Sequence, residues 1–191
     1  MKSRGWRNES ARHSLSSRGV KTGHKTSPRI TIPGKFAKEN ATVWKSKDFG
    51  ARFIITSKLM ESGVKSPRDD GSGYMSHNKY KVTVTNWDNK KKTSFYWYGS
   101  HNDYMNNVTK MDDHDILFSV ASWLENASSA CTQDFEGWAG DFGYDEDSVK
   151  AMKIYKENEK NGKKIDELLG PEYGADVWGA MGQEILKSIG E

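Results

Sequence analysis

A single cysteine, four prolines and the lack of any long apolar run bound what this 191-residue chain can be. Cys131 alone leaves no internal disulfide, so the sequence neither requires nor suggests an oxidising compartment, and the cytoplasm is the expected location. The start, MKSRGWRNESARHSLSSRG, is basic with no apolar stretch behind it, and nothing later nears the roughly 18 apolar residues of a membrane span. Neither signal peptide nor anchor is expected. The Arg- and Ser-rich, acid-poor composition of this start is also that of an organelle transit peptide, which stays open.

Chemistry-bearing constellations are equally sparse. The five histidines (His13, His24, His77, His101, His114) include no pair at a four-residue spacing and no cysteine pair, so a structural zinc is not expected. His101-x-Asp103 and Asp113-His114-Asp115 could each offer metal ligands, but adjacent groups of this kind are more often solvated turn or cap residues. Asp70-Gly71-Ser72-Gly73 precedes neither a helix nor a Lys-Ser/Thr pair, so it is no phosphate cradle. Cys131 stands where a helix cap or loop is expected and reads as structural rather than catalytic. The sequence indicates no catalytic residues, metal or cofactor, and the expected function is binding without catalysis.

What the chain does have is charge sorted by position. The net charge is +3, yet residues 1–38 hold ten Lys/Arg against one acid, and residues 112–191 hold seven Lys against eighteen acids. The basic end favours phosphate. The acidic end repels nucleic acid, unless it competes for a surface that normally binds it. With 35% hydrophobic residues but seven Trp, eight Tyr and seven Phe, the core should be rich in aromatics.

Three zones follow. Residues 1–40 contain too few apolar positions to bury a face and read as a disordered basic arm, with a marginal helix started by Asn8 and ended by Gly19. From 41 to 110 the period is two: Val43-Trp44, Arg52–Thr56, Lys79–Thr85 and Thr93–Tyr98 read as an antiparallel meander, with turn chemistry at Trp87-Asp88-Asn89-Lys90. Residues 62–78 read as a mobile insertion unable to continue a strand. From 111 to 191 the period is helical. Helices are expected at about 113–126 and 132–140, then from Asp145 or Asp147, with Val149 inward, to a stop at Asn161-Gly162. Lys163–Leu169 and about 173–189 complete the set. The fold class is α+β: a small antiparallel meander packed on a bundle of short helices, forming one domain over 41–191.

Three groups are candidate binding residues. Arg4, Trp6, Arg7, Arg12, Arg18 and Lys21 combine guanidinium groups with an indole, suited to phosphates and a stacked base; the alternatives are folding back on the acidic half or an inert tail. In Phe95-Tyr96-Trp97-Tyr98, alternation puts Phe95 and Trp97 on one face and Tyr96 and Tyr98 on the other. With cross-strand Lys81 and Thr83, the second face could stack single-stranded DNA or RNA, unless the N-terminal segment or a partner covers it. Asp141, Asp145, Glu146 and Asp147 could face a basic partner. Asp141, Asp145 and Asp147 also resemble part of a calcium loop, but its glycine and distal Glu are missing, and acids that start a helix are the simpler account.

The run from Asp134 to Ala151, with its Phe-Glu-x-Trp and Phe-Gly-Tyr-Asp-x-Asp-Ser-x-x-Ala patterns and Tyr155 beyond, resembles a family of small phage and mobile-element proteins. The resemblance covers roughly 80–170, and Gly5–Leu15 and Arg18–Gly23 resemble segments of mobile-element proteins too. It brings no catalytic residues. It implies a setting in which small acidic or mixed-charge proteins block host defence, as anti-CRISPR proteins do. The resulting expectation is a non-enzymatic inhibitor of a host nucleic-acid-processing defence complex, acting in the host cytoplasm. The alternative is a DNA- or RNA-binding accessory protein using the basic arm.

Overall fold

The computed structural model describes residues 41–67, 77–99 and 111–191. Four strands, β1 (Ala41–Lys45), β2 (Arg52–Val64), β3 (His77–Asn86) and β4 (Lys92–Gly99), form an antiparallel sheet in the order β1-β2-β3-β4. Four helices follow: α1 (Asp113–Thr132), α2 (Phe135–Asp141), α3 (Val149–Leu169) and α4 (Ala175–Ile189). This is the expected α+β segregation. The basic arm, including Arg4, Trp6, Arg7, Arg12, Arg18 and Lys21, lies outside the described residues, as do His101 and Asp103. No described helix is long and apolar enough to cross a membrane.

Alternation divides the sheet cleanly. Trp44, Phe53, Ile55, Tyr80, Val82, Val84 and Phe95 point to one face and join Ile116, Leu117, Val120, Leu124, Ile165, Leu168, Met181 and Ile185 in the main core. Phe95 stacks on Trp123 with ring centroids 4.7 Å apart. The β3–β4 turn is tied to the helices: the side-chain amides of Asn86 and Asn89 both donate to the Leu168 carbonyl, at 3.1 and 3.0 Å. In that turn Lys90, rather than Asp88 or Asn89, takes the left-handed backbone at φ 62°.

A second, smaller core gathers around Trp138. Its indole lies 5.0 Å from the Phe142 ring, 5.6 Å from Tyr144 and 5.5 Å from Tyr155, with Ala130, Ala139, Ala151 and Ile154 beneath. It fixes α2 against the end of α1 and the start of α3.

The boundaries correct the sequence reading at several points. β2 continues to Val64 through two register shifts, so residues 62–64 are strand, with Gly63 in the left-handed region at φ 72°. Helix α1 extends to Thr132, and α2 starts after Asp134, whose carboxylate accepts the Gly137 N–H at 2.9 Å. Helix α3 starts after Ser148, which caps Ala151, so neither Asp145 nor Asp147 is its cap, and Val149 is 70% exposed rather than inward. Gly162 does not end α3. It is buried where a Cβ would lie 2.4 Å from Cys131 Sγ and 3.3 Å from the Trp178 ring, and the apolar stripe continues beyond it through Ile165 and Leu168. The glycine permits close packing rather than a break.

Candidate functional site

The face of the sheet turned away from the helices is basic. Residues 41–67 and 77–99 hold ten Lys/Arg against three acids, so positive charge extends from the N-terminal arm into the sheet. Register aligns Lys58 with Lys81 and Lys81 with Tyr96, and the next row holds Thr56, Thr83 and Ser94. Lys79 is opposite Tyr98, lies 3.7 Å from Glu61, and places its ammonium 4.6 Å from the centre of the Tyr96 ring. Tyr96 is 54% exposed and Tyr98 half-buried, whereas Phe95 and Trp97 turn to the helices, as alternation predicts. Toward β1 the same face is closed, because Ala41, Val43 and Ile54 are buried without belonging to either core. The accessible part is the Lys58–Lys81–Tyr96 end. Tyr96, Tyr98, Lys81 and Thr83 are therefore brought together. Lys58, Lys79 and Lys92, which sequence reasoning missed, share their face; extending the two-residue phase of β2 and β3 would have found them.

A groove of about 790 Å³ opens beside β4. One wall is the strand itself. The other is a polar side of α3, where Glu157, Asn158, Asn161 and Lys164 recur at three- and four-residue steps, and Trp123 and Asn126 of α1, Lys81 and Thr83 of β3, and Ser66 and Pro67 after β2 contribute further lining. Lys164 Nζ donates to the Ser94 carbonyl at 3.5 Å. Trp123 Nε1 and Asn158 Nδ2 are buried and have no hydrogen-bond partner among the described residues. Nothing in the local sequence announces this groove, because its walls come from β3, β4, α1 and α3, and the composition at Asn161-Gly162 predicts two helices where α3 is one.

The acidic corner lies apart. Asp141, Asp145, Glu146 and Asp147 are exposed, and so are Phe142, at 45%, and Val149. Asp141 accepts from the Gln133 amide at 2.8 Å, which anchors the end of α2 to the end of α1.

Other candidate chemistry is weak. Cys131 lies in the last turn of α1 and is exposed, yet desolvation and the Glu159 charge push its thiol above the ordinary range, which disfavours the reactive thiolate. Asp112, His114 and Asp115 could bring three ligand atoms together at the surface, but Asp112 caps α1 by accepting the Asp115 N–H at 2.7 Å, and His114 lies 3.3 Å from Glu191. The cap and the His114–Glu191 contact account for this cluster. Comparison with protein-family models, with curated proteins and with solved structures gives no match.

Proposed function

We propose that the protein is a non-enzymatic, nucleic-acid-binding accessory protein of a mobile genetic element that receives a single strand on the outer face of its sheet. The observation that carries this reading is the alignment of Lys58 with Lys81 across β2 and β3, in one row with the exposed Tyr96. Like charges directly opposite each other destabilise a sheet unless an anion lies between them. Phosphates would satisfy Lys58, Lys79, Lys81 and Lys92, while Tyr96 and Tyr98 offer rings to bases. The basic arm, with Arg4, Trp6, Arg7, Arg12, Arg18 and Lys21, would add further phosphate contacts, and the mobile-element setting rests on the sequence resemblance.

The test is fluorescence anisotropy with a labelled single-stranded oligothymidylate across a salt series. About four phosphate contacts from the sheet predict a log–log salt slope of at least about −3 in magnitude, steeper if the arm contributes. Tyr96→Ala should weaken binding by about 1–3 kcal/mol, and Lys81→Glu should weaken it and flatten the slope. Unchanged binding by both variants would remove the sheet face from the proposal.

A second reading is favoured by the exposure of Phe142 and Val149 among Asp141, Asp145, Glu146 and Asp147. An apolar anchor with an acidic rim suits docking onto a basic protein surface, and complementary charge would speed the encounter. In this reading the protein inhibits a host nucleic-acid-processing defence complex, as an anti-CRISPR protein would, by occupying its nucleic-acid channel. Phe142→Ala and reversal of the four acids should each reduce affinity for a purified effector, and unchanged affinity would exclude the corner.

A further inference from the structure

We propose that the groove between β4 and α3 receives an extended acidic peptide from a partner protein, which adds to the sheet as a fifth strand. Among the described residues β4 pairs only with β3, so its other edge is free of a strand. The Ser94 carbonyl, which accepts from Lys164, points away from β3 into the groove. In an antiparallel strand the N–H and C=O of one residue point the same way and alternate along the chain, so Tyr96 and Tyr98 present their backbone groups to the same side as Ser94. A strand edge of this length is a template for main-chain pairing, and a helix running alongside it supplies pockets for alternate side chains.

The groove also states what it needs. Trp123 and Asn158 are each only 5% exposed, and their Nε1–H and Nδ2–H donors have no partner among the described residues. Buried donors left unpaired are costly, and a peptide carbonyl or a carboxylate would satisfy both. Among the described lining residues Lys81, Lys92 and Lys164 stand against one acid, Glu157, so an acidic occupant is preferred. The chain's own arm is repelled by the same charge, since residues 1–38 hold ten Lys/Arg against one acid. This inference differs from the nucleic-acid reading in its use of the edge of β4 and the wall of α3, with Asn158 and Lys164 belonging to the groove alone, while Lys81, Lys92 and Tyr96 border both surfaces.

The test pans a random-peptide display library against the immobilised full-length protein and measures the enriched peptides by anisotropy. Enrichment of acidic residues interleaved with β-branched ones is expected. N-methylation of alternate amides should weaken binding about tenfold in one phase and leave it nearly unchanged in the other, since only one set of amides faces β4. Because this alters the peptide alone, it does not depend on any variant folding. Asn158→Leu and Lys164→Glu should each weaken the same peptides about tenfold, with thermal melts confirming the fold. The inference is overturned by failure to enrich any peptide, by N-methylation without phase, or by affinity that survives both groove variants. Displacement by a synthetic peptide of residues 1–38 would make the arm the occupant and equally overturn it. Competition by oligothymidylate together with loss of peptide binding in Lys58→Glu, a residue of the outer face that does not line the groove, would return the site to the outer face.

Discussion

Substituting Gly182 by alanine sets two effects of similar size against each other, and the structure determines which wins. Helix α4 meets α1 through Gly179 and Gly182, which face Ser128, Glu125 and Ala121. A Cβ on Gly182 would lie 2.6 Å from Glu125 Cγ and 3.0 Å from the Ala121 carbonyl oxygen. Glu125 is only partly free to swing aside, because it accepts a hydrogen bond from Gln183 of the facing helix. The Ala121 carbonyl cannot yield without moving α1. Replacing glycine by alanine inside a helix gains about 1 kcal/mol from backbone entropy, while forcing a methyl into a packed interface costs about 1–3 kcal/mol. With two contacts this close, one of them backbone, the cost falls in the upper half of that range and the net loss is about 1–2 kcal/mol. The matched control is Gly140→Ala in α2, where a Cβ would meet nothing within 4 Å and the backbone is not left-handed. It should gain about 0.5–1 kcal/mol. Urea denaturation followed by tryptophan fluorescence reads both variants. A Gly182→Ala protein as stable as the parent, or more so, would refute the close α1–α4 approach.

The cap of α1 predicts that Asp112→Ala lowers stability by about 1 kcal/mol in urea titration, whereas Asp145→Ala, which removes no cap, should change it little. Desolvation raises the Glu125 carboxyl above its ordinary value, so the folded state holds its proton to higher pH than the unfolded chain. The contribution of Glu125 to stability is therefore lost as pH rises above the ordinary glutamate value, and Glu125→Gln should remove that loss; an unchanged profile would contradict it. Cys131 should react with iodoacetamide more slowly than a free thiol at about pH 8, and Glu159→Gln should speed the reaction.

Most of the sheet was readable because its signal is local. Val82, Val84 and Phe95 alternate with polar or amphipathic neighbours, which fixes the sides of β3 and β4 that meet the helices, whereas Ile54, buried between Phe53 and Ile55, blurs the same signal in β2. The faces of Tyr96 and Tyr98 followed for the same reason. Boundaries were less readable. Asn161-Gly162 has the composition of a helix stop, yet burial of Gly162 between Cys131 and Trp178 overrides it, and that burial depends on residues about 30 positions before and 16 after. Ser148 rather than its acidic neighbours became the cap of α3, since one N–H needs one well-placed acceptor and not a concentration of charge. The groove was not legible at all, because Trp123, Asn158 and Ser94 meet only once three elements have packed.

The aromatic knot around Trp138 has a kinetic consequence. Its members share no residue with the main core, so it is joined to the rest of the molecule chiefly through the ends of α1 and α3. Such a unit is able to open on its own, and the amides of α2 should exchange with solvent at a lower free energy than those in the middle of α1. Phe142 and the acids around it would then be carried on a corner that loosens and re-forms while sheet and bundle stay shut. Occupation of that corner by a partner would appear as slowed exchange confined to α2 and the first turn of α3.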